Sequence, residues 1–269
     1  MTTRTIKVVP YDPLWPTLFK NEASLLENAL GDNLIRIHHI GSTSVEGLSA
    51  KPIIDMIPEV KDIQAVDKAN GAMEALGYTV KGEYGIPFRQ FFSKENYNVH
   101  VFEQGNTEIA RHVNFSAYLR AHPVYLKAYQ QVKIDAAQTY IHDIVGYCNA
   151  KDALIQDIDN LASPPYLRVV QTCLDSEWEA YHRIYEQEVA SKNKPYHKES
   201  DVFADPNHKH FILRYGSEMI GILHMEYIAK KNAIIHALAI TKGQESKENE
   251  AFLYEFAKKW LRHQGKILI

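Results

Sequence analysis

Two consecutive prolines at positions 164 and 165 constrain the fold of this chain more than any other feature. They lie in the stretch ASPPY, between a segment with helical periodicity and a segment rich in β-branched residues. Proline removes a backbone donor and restricts the residue before it, so a helix cannot continue through this stretch. We therefore expect two domains, residues 1–163 and residues 164–269, each of ordinary domain size.

The composition argues against several classes of protein. The formal net charge is -3 and the pI is about 6.5, so no overall positive charge favours nucleic acid or a membrane surface. The chain has 2 cysteines and no CxxC motif, which argues against a disulfide framework. No apolar run has the length of a membrane span, and the first residues lack the apolar core of a signal peptide. We expect a cytoplasmic protein that binds neither nucleic acid nor membranes.

Periodicity predicts that a mixed sheet and then a helical cap form the first domain. Helical spacing of apolar residues predicts helices at 11–31 and 63–77. Short β-branched and aromatic runs predict strands at 33–42, 51–60, 78–83, 87–93 and 97–104. From Thr107 the period changes, and three helices are predicted at 107–122, 123–142 and 148–162.

After the prolines the pattern starts again. A strand at 166–173 and a helix at 175–191 precede a polar loop that extends to Asn207. Strands are then predicted at 209–216, 218–228 and 232–240, followed by a helix at 247–265 and a strand at 266–269. A Gly-Ser pair between the first two of these strands indicates a hairpin. The second domain is therefore also a mixture of helices and strands.

The stretch HIGSTSVEGLSAKPIIDMIPEV, residues 39–60, carries the strongest chemical signal. Its candidate phosphate-binding and metal-binding residues are Gly41, Ser42, Thr43, Ser44, Lys51 and Asp55. Gly41 lets the backbone approach a phosphate closely, and the hydroxyls and turn amides after it can form an anion-binding concavity. Lys51 can neutralise a phosphate, and Asp55 offers a hard oxygen ligand to a divalent cation. A simple turn and a packed strand explain the same residues, and both interpretations stay open at this point.

Three blocks of the first domain resemble the GrpB (UPF0157) family. They are VVPYDPLWPTLFKNE, HIGSTSVEGLSAKPIID and NVHVFEQGNTEIARHVNFSAYLRAHP, and the resemblance spans nearly all of residues 5–160. The family is similar in fold to the nucleotidyltransferase superfamily, in which a Gly-Ser turn precedes a strand with metal-binding carboxylates. The resemblance therefore implies a nucleotide or phosphorylated small molecule as ligand, Mg²⁺ as cofactor, and nucleotidyl or phosphoryl transfer as reaction.

The chain departs from that superfamily pattern at the second carboxylate. The pattern places a second acid two positions after the first, on the same face of the strand, where this chain has Ile57. Glu59 lies one repeat further, about 6–7 Å along the strand from that position. Such spacing suits a shared Mg²⁺ poorly.

The strand at 97–104 and its neighbours supply the remaining candidates of the first domain. His100 is a candidate catalytic residue together with Asp55, and Glu103 is a candidate metal ligand. His100 and Glu103 face opposite sides of a regular strand, so a Glu103 ligand requires a bulge or a strand end. The resemblance adds Arg89, Arg111 and His112 as candidates for contact with an anion.

Residues 167–269 resemble the first two-thirds of a GNAT acetyltransferase, which implies acetyl-CoA as cofactor. That family binds the cofactor's pyrophosphate on a Q/R-x-x-G-x-G/A loop, where free amides and the helix dipole favour an anion. In the aligned stretch QESKEN, Gln244 fits, whereas Lys247 and Asn249 replace the glycines. We therefore expect a degenerate loop in a domain that is incomplete at its C-terminus, with an edge strand open to pairing in a homo-oligomer.

These observations predict an α+β chain with two domains. The first is a nucleotidyltransferase-like mixed sheet with a helical cap, and the second is a GNAT-like α/β domain. Three functions stay open: a nucleotide or phosphate site with Mg²⁺-dependent transfer, a GNAT-type N-acyltransferase, and a binding or assembly protein without catalysis.

Overall fold

The structure, a computed structural model, describes residues 5–190, 197–198 and 200–269. Internal contacts divide the chain into a first unit, Met1–Tyr84 with Phe88–Pro164, and a second unit, Gly85–Pro87 with Pro165–Ile269. The division along the chain falls between the two prolines. Both units are mixtures of helices and strands, and among the described residues no helix is long and apolar enough to cross a bilayer.

The described residues of the first unit form five α-helices and five strands. Its helices are α1 (Trp15–Leu30), α2 (Asn70–Ala75), α3 (Thr107–Ala121), α4 (Pro123–Thr139) and α5 (Ile144–Ala162). Its strands are β1 (Leu34–Ile40), β2 (Ile54–Val60), β3 (Thr79–Val80), β4 (Arg89–Lys94) and β5 (Tyr97–Glu103).

The strands of the first unit form one mixed sheet in the order β1-β2-β5-β4-β3. β2 and β5 run parallel, and the other neighbours run antiparallel. The parallel register places Asp55 beside Asn98, so two polar side chains share one face of the sheet. Met56 and Val99 point to the other face, where they pack in an apolar core with Leu26 of α1 and residues of α2. The two faces therefore have opposite chemical character.

Local sequence determines where the helices of the first unit begin. α1 begins at Trp15, later than predicted, because Asp12 accepts a hydrogen bond from the amide of Leu14 in the preceding turn. Asn106 and Asp143 begin α3 and α5 by accepting hydrogen bonds from first-turn amides.

The remaining differences from the sequence prediction in this unit are shorter elements. The predicted helix at 63–77 is a 3-10 segment, Gln64–Ala69, followed by the short α2, whose first two residues, Asn70 and Gly71, are weak helix formers. The predicted strand at 78–83 keeps only β3, since Gly82 adopts a positive φ of 62° and turns the chain.

In the second unit the described residues form a five-stranded sheet in the order β10-β9-β8-β7-β6. Its elements are β6 (Leu167–Gln171), α6 (Asp175–Ile184), β7 (His208–Tyr215), β8 (Glu218–Tyr227), β9 (Asn232–Ile240), α7 (Lys247–His263) and β10 (Ile267–Leu268). Neighbouring strands are antiparallel, except that β10 runs parallel to β9 at one edge. Pairing of this edge with a second copy stays a prediction.

Helices pack on both faces of the second sheet. Tyr181 and Ile184 of α6 pack against Ile212 and Ile222 on one face. On the other face, Trp260 of α7 meets the ring of Phe211. The helix predicted to Ser191 ends at Ile184 and continues as a π-helical turn, Tyr185–Val189, while residues 191–196 and 199, which include much of the predicted polar loop, lie outside the described residues.

Candidate functional site

A cavity of about 280 Å³ lies in the first unit between the polar face of the sheet and helices α3, α4 and α5. The residues predicted from sequence that line it are Gly41, Ser42, Thr43, Lys51, Asp55, His100, Arg111 and His112. The polar residues that sequence reasoning missed are Asn98, Tyr129, Lys133, Tyr147, Lys151 and Asp159. The cavity therefore joins the Gly-Ser turn to the helical cap.

Gly41 brings the turn after β1 into close contact with Asp55. Its φ is 69°, a conformation that favours glycine. A Cβ atom at this position would lie 2.8 Å from Oδ2 of Asp55, too close for any larger residue. The glycine is therefore needed for both its backbone angle and its lack of a side chain.

The carboxylate of Asp55 has one engaged oxygen and faces the cavity. Oδ1 accepts a hydrogen bond of 2.9 Å from the side-chain amide of Asn98, and Nε2 of His100 lies 3.8 Å from the same oxygen. Burial raises the pKa of this carboxyl, but the nearby imidazole of His100, the hydrogen bond from Asn98 and the charge of Lys51 outweigh burial and lower the pKa below its ordinary value. Asp55 is therefore ionised at neutral pH, with its Oδ2 beside the Gly41 backbone.

Arg89 lies behind His100 and does not line the cavity. Its guanidinium donates to the backbone carbonyls of Glu83 and Tyr84 and lies 3.0 Å from Nδ1 of His100. Because arginine only donates, Nδ1 must accept, and the imidazole proton is on Nε2, towards Asp55. The phosphate contact predicted for Arg89 is therefore replaced by a role in orienting His100.

The same tautomer bears on the chemistry of His100. Burial lowers the pKa of this imidazole, and the charge of Arg89 adds to that effect against the opposing charge of Asp55. The ring is therefore neutral and presents an N–H group to the Asp55 side of the cavity. A protonated nitrogen cannot bind a metal, so His100 is suited to donating a hydrogen bond to an anion.

Three lysines from different elements converge on the cavity. Lys51 comes from the loop before β2, Lys133 from α4 and Lys151 from α5. Lys133 lies 4.9 Å from the ring centre of Tyr129, and Lys51 and Lys151 lie 5.0 Å and 4.1 Å from the ring centre of Tyr147. The aromatic faces stabilise these cations without neutralising their charge.

Burial lowers the pKa of two of these lysines. Burial, together with the charges of Lys151 and Lys51, lowers the pKa of Lys133 to about 7. Burial and the charge of Lys51 lower the pKa of Lys151 to about 8. The charge of Asp55 opposes part of the shift at Lys151, and a bound anion would favour the protonated forms further.

Arg111 and Asp159 form an ion pair at the cavity wall. Nε of Arg111 donates to Oδ2 of Asp159 at 2.7 Å, and Nη1 donates to Glu108 at 3.2 Å. Much of the charge of Arg111 is therefore compensated. Burial and the nearby charge of Arg111 lower the pKa of His112 to about 3, so this imidazole is neutral.

The three hydroxyls after Gly41 have different positions. Ser42 and Tyr129 both line the cavity, and the hydroxyl of Thr43 donates to the carbonyl of Ile53 at 3.2 Å. Ser44 was predicted to contact phosphate, but it does not line the cavity, because its hydroxyl donates to the carbonyl of Gly41 at 2.7 Å and closes the 3-10 turn. Of the three, Ser42 and Thr43 line the cavity.

The predicted second metal ligand lies far from Asp55. The register pairs Asp55 with Asn98 and Val60 with Glu103, so Glu103 lies five residues along β5 from the partner of Asp55, about 16 Å at the usual strand rise. Its carboxylate accepts a hydrogen bond from the amide of Ile63 at 3.1 Å. The carboxylate of Glu103 therefore caps the backbone at Ile63 and lies too far from Asp55 to share a metal ion with it.

Glu59, the acidic residue nearest to the position of the second carboxylate in the superfamily pattern, also contacts other side chains. Ile57 is fully buried, and Glu59 accepts from Arg36 at 2.7 Å and lies 3.2 Å from Nε2 of His38. The residues present therefore do not fit a two-metal centre. They fit a single Mg²⁺ that arrives with phosphate oxygens and water and takes one carboxylate ligand from Asp55, an arrangement Mg²⁺ often adopts.

The loop before α7 in the second unit has donors that are already engaged. The hydroxyl of Ser246 accepts from the amide of Asn249 at 3.0 Å, and the side chain of Asn249 donates to the carbonyl of Gln244 at 2.8 Å. Lys247 is the first residue of the helix, and the first turn also carries Glu248 and Glu250. The carboxylates and the serine cap satisfy the helix terminus without an external anion.

Structural comparison also gives weak likenesses over part of the chain. The ribosomal-protein-S18-alanine N-acetyltransferase from Escherichia coli is 15% identical, with a TM-score of 0.33, over 38% of this chain and 64% of that one. A likeness at this level supports no inference about activity.

The first unit has much stronger relatives. The crystal structure of the conserved protein GrpB from Enterococcus faecalis is 38% identical, with a TM-score of 0.56, over 58% of this chain and 96% of that one. The UPF0157 protein YqkA from Bacillus subtilis is 41% identical over 163 residues, which cover 59% of this chain and only 48% of that relative. The GrpB protein family matches residues 5–160. The resemblance noted in the sequence is confirmed, and the chain belongs to the GrpB family.

Proposed function

We propose that the first unit binds a phosphorylated small molecule, with a nucleotide as the leading class. The observation that carries this proposal is the convergence of Lys51, Lys133 and Lys151 on one cavity beside the Gly41 turn. Burial lowers the pKa of two of these lysines to near neutral, and a bound phosphate would favour their protonated forms. The rings of Tyr129 and Tyr147 offer apolar faces beside the cations.

A nucleotide would bring the metal ion that Asp55 is suited to hold. In this arrangement the carboxylate of Asp55 would hold Mg²⁺, the lysines would neutralise the phosphate oxygens, and the Nε2–H group of His100 would donate a hydrogen bond to the ligand. Positioned cations and donors of this kind are the main contribution of proteins to phosphoryl transfer. Nucleotidyl or phosphoryl transfer on a nucleotidyltransferase-like fold is therefore the reaction class that we propose for this site.

The test is a thermal-shift screen of the purified protein with ATP, CTP, GTP, UTP, CoA and acetyl-CoA, each with and without Mg²⁺. A ligand at 100 times its dissociation constant stabilises the folded state by about 2.7 kcal/mol. We expect stabilisation by at least one nucleotide, strengthened by Mg²⁺ and reduced in the Asp55→Asn variant. Hydrolysis or transfer products, followed by phosphorus NMR, then separate catalysis from binding.

The other outcomes of the screen distinguish the rival functions. Stabilisation by acetyl-CoA alone would assign the function to an N-acyltransferase site in the second unit, against the contacts seen before α7. Absence of a thermal shift with every ligand would overturn the proposal in favour of a binding or assembly protein without catalysis. Stabilisation by a nucleotide without turnover would keep the binding site and remove the transfer reaction.

A further inference from the structure

The second unit has a cluster of four imidazoles on one face of its sheet. His208 and His210 lie on β7, His224 on β8 and His236 on β9. The antiparallel register places His208 opposite Glu226 and His210 opposite His224. Ring centres are 4.5 Å apart for His210 and His224 and 5.7 Å apart for His208 and His236. Three strands therefore contribute imidazoles to one small surface.

A β-bulge contributes His236 to this cluster. Between β8 and β9, His224 pairs with Ala237 and Met225 pairs with Ile235, so His236 is the extra residue of β9. A bulge redirects the side chain of its extra residue. Here Nε2 of His236 lies 2.6 Å from Oε2 of Glu226.

The donor atoms of three residues have the composition and spacing of a metal site. Nε2 of His208 lies 3.9 Å from Oε1 of Glu226, and the ligand atoms of His208, Glu226 and His236 all lie within 4.8 Å of one another. Two imidazoles with one carboxylate are a common protein ligand set for zinc and other first-row divalent ions. We propose that His208, Glu226 and His236 bind a divalent transition-metal ion, with Zn²⁺ as the leading candidate.

The exposure of these side chains suits an ion that enters from solvent. The side chain of His208 is 12% exposed, that of Glu226 is 29% exposed and that of His236 is 36% exposed. Three protein ligands leave at least one position of a tetrahedral ion for water or another small ligand. The site is therefore open, unlike the closed four-ligand sites that serve structure alone.

His224 is a positioning residue for this site. Its Nε2 lies 2.8 Å from Nδ1 of His208. A metal ion on Nε2 of His208 requires the imidazole proton on Nδ1, where Nε2 of His224 accepts it. Partners of this kind hold a metal-binding imidazole in one tautomer and orientation.

The experiment is a titration of the full-length protein, first freed of metal with a chelator, with Co²⁺ and then Zn²⁺. Visible d–d absorption of Co²⁺ reports the geometry of the ligands, and calorimetry reports the affinity for Zn²⁺. We expect one ion per chain, displacement of Co²⁺ by Zn²⁺, and at least about 100-fold weaker binding in His236→Ala and Glu226→Gln. His224→Ala should weaken binding by about 10- to 100-fold, as expected for a residue beside a ligand.

The matched control is His142→Ala, which removes an exposed histidine in the first unit and should leave the titration unchanged. Circular dichroism checks the fold of each variant, and His236 is exposed enough for its truncation to be tolerated. Absence of a Co²⁺ spectrum and of saturable Zn²⁺ heat would overturn the proposal and leave Glu226 and His236 as a surface ion pair. Unchanged affinity in both ligand variants would overturn it equally.

Discussion

The sequence pattern suggests an anion site both at the Gly41 turn and in the loop before α7. The contacts around these two regions differ. At Gly41 the backbone contacts the carboxylate of Asp55, and three lysines from other elements face the same cavity. Before α7, Ser246 and Asn249 bond to the loop itself, and the amide of Gly243 contacts the carboxylate of Glu245. The anion site that we propose at Gly41 thus rests on the three lysines from other elements, more than on the turn itself.

Removing the lysine charges should have the largest effect on this contrast. The variant Lys51→Met, Lys133→Met, Lys151→Met keeps side chains of similar length and removes the positive charge. Hydrogen bonds to charged groups contribute about 1.5–3 kcal/mol each, so we expect at least about 100-fold weaker nucleotide binding by calorimetry. Lys127→Met, an exposed position on the same helix as Lys133, is the control. If the triple variant kept its nucleotide affinity, the lysines would not distinguish the Gly41 turn from the loop before α7.

Gly41→Ala should separate the close contact from the backbone angle. Gly47 has a similar φ of 77° but open space around its missing Cβ, so Gly47→Ala is a matched control. We expect Gly47→Ala to cost about 1–2 kcal/mol of unfolding free energy from the backbone alone. Gly41→Ala should cost about 1–3 kcal/mol more, because its Cβ would lie 2.8 Å from Oδ2 of Asp55. If both variants lost the same unfolding free energy in urea denaturation, the close approach of Gly41 to Asp55 would not affect stability.

The pH dependence should distinguish the lysine cavity from an ordinary surface site. Because the pKa of Lys133 is about 7 and that of Lys151 is about 8, both lose their charge as pH rises from 6 to 9. We expect nucleotide affinity to fall over this range. In the unliganded protein the unfolded chain still binds these protons, so the contribution of Lys133 to stability rises with pH from about 7 upwards. A weaker stability slope in Lys133→Met than in the native chain would be the signature, and identical slopes would refute it.

Ser246→Ala should have the smallest effect. Loss of an N-cap serine typically costs about 1 kcal/mol of stability, here through α7. Nucleotide binding in the first unit should be unchanged, and acetyl-CoA binding should not appear. A gain of acetyl-CoA binding would show that the serine cap alone had closed the loop.

The sequence predicted most helices and strands, and it predicted part of the cavity, because periodicity and the Gly-Ser-to-Asp spacing are local signals. The lysines of the helical cap have a local signal too: Tyr129 and Lys133, and likewise Tyr147 and Lys151, are four residues apart and share a helix face. Nothing local shows that α4 and α5 turn these faces to one cavity. That information resides in the packing of the helices against the sheet.

Glu103 and His236 show the same limit for strands. Alternation predicted the face of Glu103 but not its register against Asp55, which the parallel pairing of β2 and β5 determines. His236 joins Glu226 through a bulge between two strands. Register and bulges depend on partners distant in sequence, so a single strand's pattern does not specify them.

The most direct test of the central claim is calorimetric titration of the native chain with the nucleotide that gives the largest thermal shift. The titration is repeated at pH 7.5 in two buffers that differ in ionisation enthalpy, which measures the protons exchanged on binding. The lysine cavity predicts one saturable site per chain and net uptake of protons, because the phosphate raises the depressed pKa values of Lys133 and Lys151. Absence of saturable heat, or binding without proton uptake, would contradict it.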